Sequence, residues 1–127
     1  ILKFVYKYNL KSKIKFLGYL SKNKLHLMMK NCKLFIFSSE LESCPQTILE
    51  ARSIGCPILS TNIAPMPEFL KNDGIYFDIN NFDKASDTLI NSLNIIKKKK
   101  NTKRKNNEFD WKYVILKYLN VFKNYPI

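Results

Sequence analysis

The stretch from residue 34 to residue 61 constrains the fold more than any other part of the chain. It reads LFIFSSELESCPQTILEARSIGCPILST. An apolar run at Leu34–Phe37 stops at two serines, a short polar loop follows, and a helical segment ends at Gly55 before a second apolar run at residues 57–59. This order predicts a strand–loop–helix–strand unit. Its loop would lie at the carboxyl end of a parallel strand, where open α/β sheets bind ligands.

Strand-like and helical patterns alternate along the rest of the chain. The predicted elements are the end of a helix at 1–10, a strand at Ile14–Leu17 closed by Gly18, a helix at 21–31 capped by Ser21, strands at Leu34–Phe37 and Pro57–Ser60, a short helix at Glu68–Lys71, a strand at Ile75–Phe77, and helices at 82–96 and from Trp111 to Tyr125. This alternation predicts an α/β, Rossmann-like domain with a parallel sheet. Because Leu34–Phe37 is apolar at every position, we expect it to be a central strand.

Composition suggests three segments. Residues 1–96 would form the domain, residues 97–107 a basic linker and residues 108–127 a C-terminal helix. The first residues read as the interior of a helix, so we expect the chain to be the C-terminal piece of a longer protein. No apolar run approaches the length of about 20 residues that spans a bilayer.

The chain is strongly basic, with a formal net charge of +12. Seven of the nine residues in 97–105, KKKKNTKRK, are basic. Three interpretations stay open for this run: a solvated linker, a patch that contacts an anionic membrane, and a nucleic-acid site. Because no aromatic residues for base stacking are interleaved with these lysines, we expect no nucleic-acid partner.

The cysteines argue against a zinc site. Cys32, Cys44 and Cys56 are spaced twelve apart, without a CxxC or Cys/His pairing. Reduced thiols are typical of the cytoplasm, where we expect the protein, with peripheral contact to the inner face of the membrane as a further hypothesis. The single histidine, His26, lies off the apolar stripe of its helix, and we interpret it as an exposed residue without a chemical role.

The loop after Phe37 carries the residues of a helix start. Ser43 and Gln46 fit a capping box with Ser43 as N-cap. Pro45 suits a first turn because its missing N–H has no helical partner to lose. The N–H groups of Gln46 and Thr47 would then point out of the helix, and with the helix dipole they predict a site for a phosphate or diphosphate.

Two glutamates flank this predicted anion site. Glu42 precedes the helix, and Glu50 lies about 40° around it from Gln46 at 100° per residue. Because a carboxylate repels a diphosphate, neutral sugar hydroxyls are the expected partners. The residues alone also allow a second interpretation, in which both are surface charges and Glu50 pairs with a nearby lysine.

Further motifs stand in a fixed order around this loop. They are Phe16–Tyr19, Ser38-Ser39, Glu42, Glu50-Ala51, Gly55-Cys56-Pro57, Pro67-Glu68, Asp73-Gly74 and Phe109-Asp110-Trp111. This ordered set resembles the donor-binding region of retaining glycosyltransferases of the GT-B fold, in the large group 1 family. The family pattern is a strand, Pro-Ser, two residues, Glu-x7-Glu followed by Ala, and Gly-x-Pro. The resemblance covers most of residues 1–125.

The resemblance implies that the chain is the C-terminal half of a GT-B fold, as a partial domain that binds the nucleotide-sugar donor. Glu50 would hold the nucleotide ribose, and Glu42 would be the catalytic glutamate that contacts the donor sugar and places its anomeric carbon. The other implied donor-binding residues are Ser43, Cys44, Gln46 and Thr47 at the diphosphate and sugar, and Gly18 and Tyr19 near the base.

The chain departs from the family pattern at three places. Ser38 replaces the first proline, Ser43-Cys44-Pro45 replaces Gly-Phe-Gly, and Ala64-Pro65 replaces a glycine pair. Because Pro45 has no N–H, one amide contact of the glycine version is lost.

The resemblance implies a hexosyltransferase. It would move a sugar from a nucleotide-sugar, with retention, to a glycan or lipid-linked acceptor in cell-surface polysaccharide synthesis. We expect the acceptor domain and the Arg and Lys that neutralise the diphosphate upstream of Ile1, so this piece alone should be inactive. No metal or other cofactor is expected, since the loop lacks an Asp-x-Asp cluster.

Two alternatives stay open: a nucleotide-sugar epimerase or phosphorylase of the same fold, and a non-enzymatic basic module that binds membrane or nucleic acid through residues 97–105.

Overall fold

Three parallel strands form the sheet, in the order β1-β2-β3. In the computed structural model, which describes residues 1–96 and 109–124, they are β1 (Phe35–Phe37), β2 (Ile58–Thr61) and β3 (Gly74–Phe77). Ile58 in β2 is paired with Phe35 on one side and with Gly74 on the other. All four residues of β2 are buried, as expected for the middle strand of a parallel sheet. The predicted α/β class with a parallel sheet is confirmed.

Helices connect and flank these strands. They are α1 (Leu2–Lys7), α2 (Lys22–Asn31), α3 (Gln46–Ile54), α4 (Met66–Leu70) with a 3₁₀ turn at Lys71–Asp73, α5 (Phe82–Ile96) and α6 (Trp111–Asn124). The α4 helix begins two residues earlier than predicted. None of the helices in the described residues has both the length and the apolar character that crossing a membrane requires.

The core lies where α2, α3 and α4 meet the sheet. Its buried members are Met29, Ile48, Ala51, Cys56, Ile58, Met66 and Leu70. Ile48 and Ala51 are three residues apart on α3, which places both on the same helix face, and both are fully buried. This packing fixes the rotation of α3 and therefore the direction in which its remaining residues point.

Gly55 ends α3 with a left-handed residue. Its φ is 81°, a value that glycine adopts without the steric cost other residues carry. The Gly55 N–H donates to Arg52 O at 3.0 Å and the Cys56 N–H to Ala51 O at 3.0 Å. These two bonds form a Schellman motif, which turns the chain directly into β2. The predicted helix end at Gly55 is confirmed.

The predicted strand at Ile14–Leu17 is wrong. The chain turns there, with the Ile14 N–H donating to Leu10 O at 3.0 Å, and residues 14–17 form no ladder. A strand needs a neighbour to accept and donate its backbone hydrogen bonds, and within the described residues no strand lies beside this segment.

The prediction that Leu34–Phe37 is a central strand is also not met within the described residues. There β1 pairs with β2 alone and forms an edge of the sheet, and Ile36 is 48% exposed. The apolar run was correctly interpreted as a strand, but its place in the sheet depends on pairing between distant residues.

The last helix forms as predicted, but its apolar residues are not buried. Trp111, Ile115, Tyr118 and Phe122 are all exposed on α6. Tyr125, which the prediction placed on the same stripe, lies outside the described residues, as does the predicted basic linker.

Candidate functional site

The carboxyl ends of the strands carry the loop singled out in the sequence. The chain leaves β1 at Phe37 and reaches α3 through residues 38–45. Thr61, the last residue of β2, donates from Oγ1 to Ser39 O at 2.7 Å, and the Ser39 hydroxyl donates to Leu41 O at 3.2 Å. These bonds tie the first part of the loop to the buried middle strand, so the loop leaves the sheet in a defined direction.

The helix start differs from the predicted capping box. Pro45, not Ser43, is the N-cap of α3, and no side chain caps the helix. Pro45 has φ −76° and ψ 79°, and the Gln46 N–H donates to Cys44 O at 2.9 Å. This is an inverse γ-turn centred on the proline. A residue before proline disfavours the helical conformation, so the helix cannot extend back through Cys44 to Ser43.

The turn changes which backbone donors can reach a ligand. The Gln46 N–H, expected to point out of the helix, is already bonded to Cys44 O. The Thr47 N–H has no acceptor among the described residues. Ser43, Cys44 and Gln46 are exposed at this helix start, and Gln46 Nε2 donates to Cys44 Sγ at 3.3 Å.

Glu50 lies one turn into α3 and contacts two basic side chains of α2. Lys22 Nζ is 3.2 Å from its Oε1, and His26 Nε2 is 3.2 Å from its Oε2. The imidazole nitrogen is buried, and its contact has the distance of an ion pair but not the angle of a hydrogen bond. The carboxylate side chain keeps 28% of its surface exposed. Glu50 therefore sits between two basic groups with one side open.

This environment changes the acidity of Glu50. Burial raises the pKa of its carboxyl, but the contacts with Lys22 and His26 lower it by more, so the pKa lies below its ordinary value. The carboxylate is therefore ionised at neutral pH and can only accept hydrogen bonds.

The prediction that His26 is exposed is wrong, while the prediction that it has no chemical role is not tested by the structure. His26 is half-buried and contacts Glu50. Lys22 and His26 are four residues apart, which places them on one face of α2. That spacing was visible in the sequence, but the partner of this face depends on how α2 packs against α3.

The other predicted site residues lie in the loops that precede α2 and α3. Gly18 and Tyr19 belong to the loop that enters α2, whose first residue, Lys22, contacts Glu50. Tyr19 is 96% exposed. Glu42 is half-buried in the loop after β1, and its carboxylate has no partner among the described residues. The two glutamates thus differ: Glu50 contacts two basic side chains, and Glu42 forms no ion pair in the part of the chain that the structure describes.

No three His, Cys, Asp or Glu side chains come together as a metal site in residues 1–96 and 109–124. The expectation that the protein needs no metal or other cofactor is not tested by this observation and stays a prediction.

Comparison with known proteins places these residues in a family. The family model described as glycosyl transferases group 1 matches residues 1–109. The chain is also similar to the O-antigen chain mannosyltransferase B of Escherichia coli, at 31% identity over 80 residues, or 63% of this chain. The aligned stretch spans about a fifth of that relative's length (21%). The chain belongs to the group 1 glycosyltransferase family.

Proposed function

We propose that the protein transfers a sugar, with retention, from a nucleotide-diphosphate-sugar to a glycan or lipid-linked acceptor. The proposal rests on two glutamates near one helix start that differ in their ion-pair partners. Glu50 is ionised and held by α2, and Glu42 stands without a partner among the described residues in the loop before α3. Family membership and the mannosyltransferase relative support glycosyl transfer.

Each group in the site has a role under this proposal. Glu50 accepts hydrogen bonds from the ribose hydroxyls, and Glu42 accepts them from the transferred sugar and places its anomeric carbon. The Thr47 N–H, which has no acceptor within residues 1–96 and 109–124, and the positive end of the α3 dipole face the diphosphate. The Gln46 N–H does not take this role without a change in the turn, because Cys44 O accepts it. Gly18 and Tyr19 are proposed to lie along the base.

The reaction exchanges one bond at the anomeric carbon for another. The bond to the diphosphate oxygen breaks and the nucleoside diphosphate leaves with the electron pair. A bond to the acceptor hydroxyl oxygen forms on the same face of the sugar, and the hydroxyl proton passes to the leaving diphosphate oxygen. The helix start stabilises the charge that develops on the leaving diphosphate, as fixed dipoles do in other transferases. Cations that we propose lie outside this chain would share that role.

The acceptor and the setting are proposed from the family and from the relative. O-antigen chain mannosyltransferase B, by its name, transfers mannose to an O-antigen chain. We propose a related hexosyl transfer in cell-surface polysaccharide synthesis, on the cytoplasmic side of the membrane. The acceptor would bind to a domain outside these 127 residues, so the chain alone would be inactive.

The test is steady-state kinetics of the full-length protein with a panel of labelled nucleotide-sugars. For the donor that is turned over, Glu50→Gln should raise the donor KM by about tenfold or more, because a hydrogen bond to a charged group is lost. Glu42→Gln should lower kcat instead, since it touches the transferred sugar. Glu40→Gln removes a charge from the same loop at an exposed position and should behave as the wild type.

Product analysis in the same assay separates the proposal from its alternatives. A transferase yields labelled sugar on the acceptor. An epimerase yields an altered nucleotide-sugar, and a phosphorylase yields a sugar phosphate. Unchanged donor kinetics in Glu50→Gln would contradict the assignment of Glu50 to the ribose.

A further inference from the structure

The first two turns of α2 present two basic side chains to one carboxylate. Lys22 and His26 do not share an oxygen of Glu50: Lys22 is nearest Oε1 and His26 is nearest Oε2, each at 3.2 Å. A carboxylate held at both oxygens cannot rotate about its terminal bond without losing one contact. The two contacts therefore fix the plane of the Glu50 carboxylate.

This arrangement leaves acceptor capacity for a ligand. An ionised carboxylate has about four lone-pair positions, two on each oxygen. Lys22 and His26 each lie 3.2 Å from a different oxygen, so both oxygens keep acceptor capacity for a ligand. The exposed part of the Glu50 side chain, 28% of its surface, gives a ligand access to it. Two vicinal hydroxyls, as in a ribose, need two neighbouring acceptor positions.

The basic groups also reduce an electrostatic cost. A bare carboxylate beside a nucleoside diphosphate would repel it. The Lys22 ammonium is next to Glu50 and offsets that negative charge. The carboxylate can then accept hydrogen bonds from the ribose with less repulsion of the nearby phosphates.

We propose that Lys22 and His26 are positioning residues, which hold the Glu50 carboxylate in the orientation that accepts both ribose hydroxyls of the donor. This inference rests on the proposed function, because it requires a nucleotide ribose at Glu50. It extends that function by assigning a role to two residues of α2.

The test measures how strongly the full-length protein distinguishes a ribose from a sugar without these hydroxyls. Calorimetry first shows which of ADP, CDP, GDP and UDP binds most tightly. The affinity of that nucleotide is then compared with the affinity of its 2′,3′-dideoxy counterpart. The wild type should prefer the ribose form by about tenfold or more, the value of a hydrogen bond to a charged group. This preference should fall by about fivefold in Lys22→Met and in His26→Leu, because residues in direct contact have coupling energies of that size.

Three variants make the test specific. His26→Gln keeps an N–H donor and should retain more of the preference than His26→Leu. Lys24→Met removes a lysine from an exposed position on the same helix and should leave the preference unchanged. In a Glu50→Gln background, His26→Leu should have no further effect on the preference, because His26 acts through Glu50.

The outcomes separate this inference from the proposed function. If the wild type prefers ribose, Glu50→Gln abolishes the preference, and both Lys22→Met and His26→Leu retain it, the positioning role is wrong while the ribose site stands. If the wild type shows no preference, the ribose site is wrong and the inference falls with it. Lys22 is 71% exposed, so Lys22→Met is expected to fold and gives a result even if His26→Leu does not.

Discussion

Glu50 shows how the surroundings of one residue give it a chemical character. Its position on α3 follows from the burial of Ile48 and Ala51, which set the rotation of the helix. Its partners come from another helix, which is why the sequence alone left two interpretations open. The structure shows the predicted pairing with a lysine, but the open side of the carboxylate makes that pairing compatible with a ligand site.

The lowered pKa of Glu50 predicts how its contribution to stability depends on pH. The folded-state pKa lies below the unfolded value, so the ion pairs stabilise the fold above the unfolded pKa and lose their effect as pH falls through the folded pKa. Urea unfolding of the wild type and Glu50→Gln should therefore differ at pH 7, with the wild type more stable. The difference should shrink in the acidic range below pH 4.5.

Glu40→Gln is the control for the loss of a charge. Its carboxylate is exposed and has no ion-pair partner among the described residues, so the difference from the wild type at pH 7 should be small. A Glu50→Gln difference that is the same at pH 7 and pH 3 would show that the two contacts do not stabilise the folded protein.

Only some features of these individual residues could be predicted from the sequence. The helix that follows Glu42 and carries Glu50 was predicted correctly, and the roles of the two glutamates stay predictions. Ser43 was not the N-cap, because the restriction that Pro45 imposes on Cys44 outweighs the capping-box pattern. His26 was missed because its partner, Glu50, lies 24 residues away in sequence, and local periodicity carries no information about such a contact.

At the scale of elements, the end of α3 sets how the site helix joins the sheet. Gly55 has a positive φ of 81°, so Gly55→Ala should destabilise the protein by about 1 kcal/mol. Gly55→Asn should cost less, because asparagine tolerates the left-handed conformation better than alanine does. Urea unfolding of both variants measures the difference, and an equal loss in the two would contradict the role of backbone strain.

Element types were predictable where a strong local pattern decided them. The strands at residues 35–37, 58–61 and 74–77 and the helices α2, α3, α5 and α6 follow the apolar periodicity and the turn residues. The segment Ile14–Leu17 has the same apolar character but forms no strand. Strand formation depends on a neighbour, and the described residues provide none beside it.

At the scale of the whole molecule, Arg52 connects several elements. Its Nε and Nη2 are each 2.9 Å from Asp73 Oδ2, and its Nη1 donates to Phe69 O at 2.8 Å. Its guanidinium lies 6.0 Å from the centre of the Phe109 ring, which packs against Phe69. Arg52 thus ties α3 to the turn before β3 and to the residues that precede α6.

Removing this connection should weaken the fold. Arg52 is 12% exposed, and Arg52→Met should lower the free energy of unfolding by about 2 kcal/mol, because the half-buried Asp73 carboxylate and the Phe69 carbonyl lose the hydrogen bonds that Arg52 donates. Arg52→Lys should fall between the wild type and Arg52→Met, since an ammonium lacks the planar fork that reaches both acceptors. Urea unfolding checks the order. A Met variant as stable as the wild type would show that the contacts contribute nothing.

We propose that the carboxyl edge of the sheet holds a nucleotide with its ribose at Glu50. A crystal structure of the full-length protein with its best-bound nucleoside diphosphate tests this most directly. We expect both ribose hydroxyls within hydrogen-bond distance, about 2.5–3.0 Å, of the Glu50 carboxylate, with the diphosphate at the start of α3. A nucleotide bound with its ribose away from Glu50 would show that this assignment is wrong.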